Sequence, residues 1–400
     1  MQLSKKFRAV QDTLLTFLFT VAISLPMVGL VFRWDVMSEQ LENRRLAKLP
    51  ALPANSEAIS NFPKEFTAYF NDNFGFRASL VRWQALAKLR LFKSASPNVI
   101  VGKDGWLFYA GEYTAHGQPT VPAYTKEQLD RWRQLLEGRR DWLARRGIRY
   151  LFVVCPNKES VYPEYLPSTF RRKNETRLDQ LLAYLRKNSD LKILDLRPAL
   201  HEAKTRRPVF YKVDSHWNSA GGFVGYQAII NELRKSFPDL QPVSESDLVL
   251  VNRQRAGNLV GMLGLGGHDK ENSADLRVRK PAFSMLSNEP ITVLAEPLYA
   301  TVAERRGEDL PRLVMFGDSM NKFMIQFFPQ NFSRAVFVAA PRLDPVLIAS
   351  ERADIVIQEM AEMRLVDDPP ADLSEIDLLT SEGKGRVSFK FNTNYIDAEP

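Results

Sequence analysis

The chain has one cysteine, Cys155, and four histidines among its 400 residues. A lone thiol rules out a disulfide framework, and with it any multi-cysteine zinc or iron–sulfur site. No internal repeat and no periodic spacing of glycine or proline is present, which removes solenoids and collagen-like fibres. Lys and Arg outnumber Asp and Glu by 54 to 47, yet no basic run is long enough to read as a nucleic-acid tail. The net charge of +7 reads as scattered, solvated side chains, with a mild preference for polyanions or an acidic membrane surface. What remains is ordinary for a folded chain: 45% hydrophobic and 25% charged residues can bury a substantial core and exclude global disorder. Length alone suggests two or three domains, although large α/β folds reach this size as one.

One long apolar run is present. After Lys5, Lys6, Arg8 and Asp12, the stretch from Thr13 to Phe32 carries no charge until Arg33 and Asp35. Twenty residues in a helix span about 30 Å, the thickness of a bilayer's hydrocarbon core. Basic residues before the run and few just after it predict a cytoplasmic N-terminus, with the rest of the chain across the membrane. A cleaved signal peptide would end in small residues spaced A-x-A, whereas this run ends Gly29-Leu30-Val31-Phe32-Arg33. The run is apolar all round, unlike a core helix, and Pro26 is tolerated inside a membrane. The expectation is a single-pass protein of the inner (cytoplasmic) membrane whose main domain lies in the periplasm, an oxidising compartment that a lone cysteine suits.

The sequence divides into residues 1–35, a cytoplasmic stub and signal-anchor; 36–60, a linker; 61–365, the main domain; and 366–400, a short C-terminal tail with one strand-like stretch, Arg386 to Phe391. Phe62 to Phe92 reads as helical with a turn at Asn71–Arg77. Lys103-Asp104-Gly105 feeding Trp106-Leu107-Phe108 is a hairpin or turn-to-strand signal. From Thr125 an α/β grammar takes over. Thr125 with Gln128 forms a capping box, a helix runs to about Arg146, and Gly147 stops it. The near-continuous apolar run Arg149–Cys155 predicts a strand buried on both faces of a parallel sheet. A helix over Arg177–Lys187, a strand over Lys192–Leu196 and a helix over Ser219–Phe237 follow. Further strands are expected at Arg312–Phe316, Ala335–Val338 and Asp354–Gln358. Alternation of this kind means a mostly parallel sheet with helices on both faces, which binds ligands at the carboxyl ends of its strands.

Two constellations could carry chemistry. Gly317-Asp318-Ser319 follows the strand Arg312–Phe316 directly, and Asn321-Lys322-Phe323-Met324 reads as a helix start. A serine at such a turn presents its hydroxyl above the sheet, and nearby backbone N–H groups could hold an oxyanion. Taken alone, the triplet is more often a plain turn. The second constellation is Asp214-Ser215-His216-Trp217-Asn218. His116 and His268 fall in glycine-rich loops and His201 in a charged stretch, so all three read as surface residues. His216 has an acid two positions earlier, on the same side of an extended segment, and a serine nucleophile needs a base fixed by such a carboxylate. The alternatives are a structural His–Asp pair at a helix start, or two ligands of a metal site whose third ligand is missing. No metal and no cofactor is expected.

These residues resemble the alginate O-acetyltransferase family (AlgJ/AlgX-like), of the SGNH (GDSL-type) hydrolase superfamily. The matching features are Gly102–Phe108, Pro156-Asn157-Lys158-Glu159-Ser160-Val161-Tyr162-Pro163, Asp214–Asn218 and Gly317-Asp318-Ser319, in order along about residues 40–362. Ordinary SGNH enzymes place the serine first; here the order is permuted, as in this family. The resemblance implies an SGNH-hydrolase-like three-layer α/β sandwich preceded by the transmembrane helix. It implies Ser319 as nucleophile, His216 as general base and Asp214 as the group that orients it, with Lys158, Tyr162 and Asn321 as possible pocket residues and a structural role equally open for Lys158 and Tyr162. It implies transfer of acetyl groups, through an acetyl-serine, to hydroxyls of an exported polysaccharide: alginate-like, cellulose or another exopolysaccharide. A polytopic membrane O-acyltransferase would be the acetyl donor, and no nucleic acid is involved. The tail is too short for the carbohydrate-binding module of the AlgX type, so the tethered form looks closer to AlgJ. The rival readings are an SGNH-type acetylesterase on envelope polysaccharide and a non-catalytic polysaccharide-binding scaffold.

Overall fold

The computed structural model describes residues 2–34, 45–92, 96–111, 122–170, 175–266, 270–281, 284–293, 296–305, 309–340 and 342–366. The chain forms two compact units. The first contains α1 (Gln2–Val31), α2 (Ser56–Asn73), α3 (Arg77–Phe92) and a short helix at Asn258–Met262. Within α1, Ala9–Val31 is long and apolar enough to cross a membrane, and its side chains stand exposed, Phe17 and Phe19 among them. It is therefore no core helix. The helix α2 begins at Ser56, inside the stretch expected as linker, because Asn55 caps it by accepting the Ala58 N–H at 2.8 Å. The corner between α2 and α3 falls within the Asn71–Arg77 turn read from the sequence.

The second unit carries the sheet. A small hairpin, β1 (Val99–Val101) and β2 (Leu107–Tyr109), opens it. Then come α4 (Lys126–Ala144), β3 (Arg149–Cys155), α5 (Lys158–Val161), α6 (Arg177–Asn188), β4 (Leu194–Asp195), α7 (Arg197–Ala203) and α8 (Ser219–Leu233). The hairpin of β5 (Leu248–Ala256) and β6 (Lys270–Val278) stands apart as a two-stranded ribbon. The remaining elements are β7 (Ser284–Val293), β8 (Glu296–Glu304), β9 (Arg312–Phe316), β10 (Arg334–Val338), α9 (Pro345–Ser350) and β11 (Ile355–Ala361). The main sheet runs β4-β3-β11-β9-β10-β8-β7. Its first five strands pair in parallel, and β8 and β7 extend it antiparallel, which makes the sheet mixed.

The alternation of side chains along each strand feeds two cores. Leu151, Val153, Met315 and Ile357 face one layer, with Leu200 of α7 and Phe223 and Tyr226 of α8. Phe152, Val154, Val314 and Val356 face the other, with Trp132 and Leu135 of α4, Leu178 of α6 and Leu347 of α9. Burial on both faces explains why these strands read as unbroken apolar runs. This is the three-layer α/β sandwich expected. The Thr125–Gln128 capping box is present, and Gly147 ends α4's overhang at φ 72°. Two expectations need correction. Asn321–Phe323 is a single 3-10 turn rather than the start of a helix, and the strand expected over 192–196 shrinks to Leu194–Asp195. The two hairpins between residues 248 and 304 had no reading in the sequence. The tail stretch Arg386–Phe391, like His116 and His268, lies outside the described residues.

Candidate active site

The Asp214 segment is an irregular loop closed at its base. Phe210 and Trp217 form a β-bridge, and the Tyr211 N–H donates to the His216 carbonyl at 3.3 Å. Directly after it, Asn218 caps α8, its side-chain oxygen accepting the N–H groups of Ala220 and Gly221. A loop pinned at bridge and cap leaves its two chemical residues little freedom. Asp214 Oδ1 accepts the His216 backbone N–H at 2.9 Å and lies 2.7 Å from His216 Nδ1. A carboxylate can only accept, so Nδ1 carries the proton and Nε2 is left as an acceptor. Nε2 lies 2.8 Å from Ser319 Oγ.

Ser319 arrives from the carboxyl end of β9. The Gly317 N–H donates to the Val338 carbonyl at 3.1 Å, which continues the ladder to β10 for one more residue. Gly317 has to be glycine: a Cβ there would collide with the Glu359 carboxyl group, and would crowd Asn321 Nδ2 as well. Asp318 staples the turn, its Oδ1 accepting the Met320 N–H at 3.0 Å and its Oδ2 the Ala361 N–H at 2.9 Å. The Asp318 N–H in turn donates to Glu359 Oε2 at 2.9 Å. A further tie joins the two halves of the site: Trp217, fully buried, donates its indole N–H to the Met320 carbonyl at 2.9 Å. The Asp214 loop and the Ser319 turn are thereby fixed to each other one residue away from both His216 and Ser319. Exposure rises along the line, from buried Asp214 through half-buried His216 to exposed Ser319, so the serine hydroxyl meets solvent while the carboxylate does not.

Two buried ionisable groups support this arrangement. Glu359, on β11, is completely buried, and burial, then the Asp318 charge, holds its carboxyl well above the usual range. Its Oε1 has no hydrogen-bond partner among the described residues. Lys158 opens α5 at the carboxyl end of β3 and is 2% exposed. Its ammonium donates to the carbonyls of Leu107 at 2.6 Å and Lys212 at 3.2 Å, which ties the β2 hairpin to the Asp214 loop. Burial lowers its pKa to about 7, while the charges of Asp214 and Glu271 pull the other way.

Lys158, Tyr162 and Asn321, expected in the pocket wall, are all buried. Tyr162 spends its hydroxyl on the Val209 N–H at 3.0 Å and packs its ring on Trp106, with centroids 4.5 Å apart. Lys158 and Tyr162 each bond to backbone groups at this end of the sheet. What stands near His216 is Phe323, with ring centroids 5.7 Å apart. Arg255 of β5 lies over that ring at 5.2 Å and over Tyr211 at 4.9 Å. Sequence reasoning missed Glu359, which sits in an apolar strand with no motif around it, and Arg255, whose strand it did not find.

Residues 99–287 match the family described as an SGNH hydrolase-like domain of the acetyltransferase AlgX, a range that holds Asp214 and His216 but stops short of Ser319. A probable alginate O-acetylase AlgJ of Pseudomonas aeruginosa is 29% identical over 172 residues, which is 43% of this chain and 42% of that protein. A second, of Pseudomonas fluorescens, is 25% identical over 262 residues, 64% of this chain and 59% of that protein. The chain thus spans less than two thirds of the length of these curated relatives. Among solved structures, Bacillus cereus PatB1 with a sulfonyl adduct superposes with a TM-score of 0.50 at 16% identity, over 68% of this chain and 98% of that one. A likeness at that identity is one of fold. Residues 99–287 are thus similar to the SGNH hydrolase-like domain of the acetyltransferase AlgX, and part of the chain is similar to probable alginate O-acetylases AlgJ.

Proposed function

We propose that this chain is a membrane-anchored O-acetyltransferase that moves acetyl groups to hydroxyls of an exported polysaccharide through an acetyl-Ser319 intermediate. The observation that carries the reading is the continuous line from Asp214 through both nitrogens of His216 to Ser319 Oγ, at 2.7 and 2.8 Å. In the first half-reaction His216 Nε2 takes the Ser319 proton as Oγ attacks the donor's acetyl carbonyl. Asp214 stabilises the imidazolium, and the proton leaves with the donor's departing group. In the second, a sugar hydroxyl gives its proton to Nε2 and attacks the acetyl-serine. The ester passes to the sugar, and Oγ recovers the proton. The Ser319 N–H is the natural oxyanion donor, since Asp318 and Trp217 hold its turn rigid from either side.

The alginate O-acetylase relatives support acetyl transfer over simple hydrolysis, and Arg255 beside the His216–Phe323 pair suits an acceptor bearing carboxylates. The anchor reading rests on the exposed apolar span of α1 behind Lys5, Lys6 and Arg8. A polytopic membrane O-acyltransferase supplying the acetyl group from within the same membrane fits that placement.

The test is acetyl transfer from a chromogenic acetate ester to uronate and neutral oligosaccharides, with mass spectrometry of both sugar and protein. The wild-type chain is expected to yield acetylated sugar and an acetylated peptide containing Ser319. Ser319→Ala is expected to lose both, with turnover down by about 10⁴-fold or more. Ester cleavage without any acetylated sugar would make the chain an esterase. Equal activity in wild type and variant would remove the serine from the chemistry and leave a scaffold.

A further inference from the structure

The helix α3 is apolar on two opposite faces, and among the described residues only one of them is covered. Ala78 and Ala85 are buried, and Val81 and Ala85 lie against Gly264. The opposite stripe is Leu80, Trp83, Ala87 and Leu91, spaced so that all four share one side of the helix. Leu80 is 52% exposed, and Trp83 and Leu91 are each 74% exposed. The helix carries Arg77, Arg82, Lys88 and Arg90 and no acidic residue. A large apolar stripe flanked only by positive charge is the composition of a helix that lies on an anionic bilayer.

The start of α3 is fixed to α1. At the corner between α2 and α3, the Gly75 N–H donates to the Pro26 carbonyl at 2.9 Å and the Phe76 N–H to the Trp34 carbonyl at 3.3 Å. Gly75 lies so close to Gly29 that a Cβ on either would collide with the other's backbone. The Trp34 ring stands 5.4 Å from that of Phe32 and 5.9 Å from that of Phe76. Pro26 belongs to the apolar span, whose last residue is Val31. Five residues of helix rise about 7.5 Å, so the corner meets α1 where acyl chains give way to headgroups, the depth at which aromatic side chains collect.

Resting on the anchor reading above, we propose that the outer stripe of α3 lies in the interfacial layer of the leaflet from which α1 emerges. Leu80, Trp83 and Leu91 insert among the upper acyl chains, and Lys88 and Arg90 contact anionic phospholipid headgroups. The chain then holds its membrane at two places, a spanning helix and a surface helix, which fixes the tilt and rotation of the first unit as a single span would not.

The test uses the full chain in vesicles with a Cys155→Ser background and one new cysteine, Phe19→Cys, Trp83→Cys or Leu91→Cys, carrying an environment-sensitive fluorophore. Vesicles contain phosphatidylethanolamine with phosphatidylglycerol, or phosphatidylcholine alone, with brominated acyl chains as membrane quencher and iodide as aqueous quencher. Labels at 83 and 91 are expected to be quenched at least twofold by bromine placed high on the chain, and to be shielded from iodide. Adding Lys88→Glu and Arg90→Glu is expected to weaken that quenching in the phosphatidylglycerol vesicles alone. Quenching at 19 with labels at 83 and 91 open to iodide would overturn the inference and leave the anchor intact. Shielding of 83 and 91 from both quenchers would also overturn it, because a protein surface would then cover the stripe. No quenching at 19 would overturn the anchor, and the inference with it.

Discussion

Replacing Glu359 with glutamine tests whether the Ser319 turn rests on an uncharged carboxyl. The group is completely buried, accepts the Asp318 N–H at 2.9 Å through Oε2, and has no hydrogen-bond partner on Oε1 among the described residues. Burial and the neighbouring Asp318 charge raise its pKa well above 4.5, so the folded chain holds a proton that the unfolded chain releases. The sign follows directly. A carboxyl raised in the folded state contributes all its stability below about 4.5 and loses it as pH climbs towards the folded value. Between 4.5 and the folded value, each pH unit costs about 1.4 kcal/mol of stability. Glutamine has nearly the same shape, can still accept the Asp318 N–H and needs no proton. Glu359→Gln is therefore expected to match wild type near pH 4.5 and to gain on it as the pH rises above that. In a unit of this size each such pH unit raises the variant's melting temperature over wild type by roughly 2 °C. Ester turnover should stay within about threefold of wild type, since the turn keeps its acceptor. The assay is thermal unfolding at pH 5, 6 and 7 beside ester cleavage. A variant that melts at or below wild type at pH 7, or a difference that does not change with pH, would refute a buried neutral carboxyl under Ser319.

Lys158 predicts the opposite slope elsewhere on the pH axis. With its pKa lowered to about 7, the unfolded chain binds the extra proton between about pH 7 and 10.5, so this group's contribution to stability rises with pH across that window. Lys158→Met is expected to remove about 1.4 kcal/mol per pH unit of that rise, whatever its constant offset from the lost Leu107 and Lys212 contacts. Melting curves at pH 7, 8 and 9 decide, and an unchanged slope would mean that the amine titrates normally. Gly317→Ala drives a methyl group into the Glu359 carboxyl and is expected to cost about 1–3 kcal/mol. Displacing the turn that carries Ser319 should also lower ester turnover by about 10²-fold. Full activity in that variant would show that the turn has room to relax.

Much of the fold was legible because local rules and tertiary packing agree. The Thr125–Gln128 capping box, the glycine stop at 147 and the doubly buried strand Arg149–Cys155 each state their structure within a few residues. The Asp214 and His216 pair was legible for the same reason, as two side chains on one side of a short segment. The β5–β6 ribbon was not. Its strands carry charged and polar residues on a solvated face, with Arg253-Gln254-Arg255 opposite Glu271-Asn272-Ser273, so no apolar period marks them. The helix expected after Ser319 was also misread, because Asn321-Lys322-Phe323 closes one tight turn and then gives way to packing of Phe323 and Met324 into the core.

By itself the sequence determined the chemistry available: one serine at a strand end, one histidine with an acid two residues before it, and one charge-free stretch long enough to span a bilayer. Those signals are short-range, so a period or a spacing can hold them. The tertiary structure alone decided which groups meet. Ser319 and His216 are 103 residues apart and come to 2.8 Å only because β9 and the Asp214 loop end at the same edge of the sheet. Glu359 reaches Asp318 only because β11 pairs with β9 in parallel register, and Lys158 became a strut because the β2 hairpin and the loop after Phe210 close over it. Contacts of that separation depend on strand order and register, which no window of sequence contains.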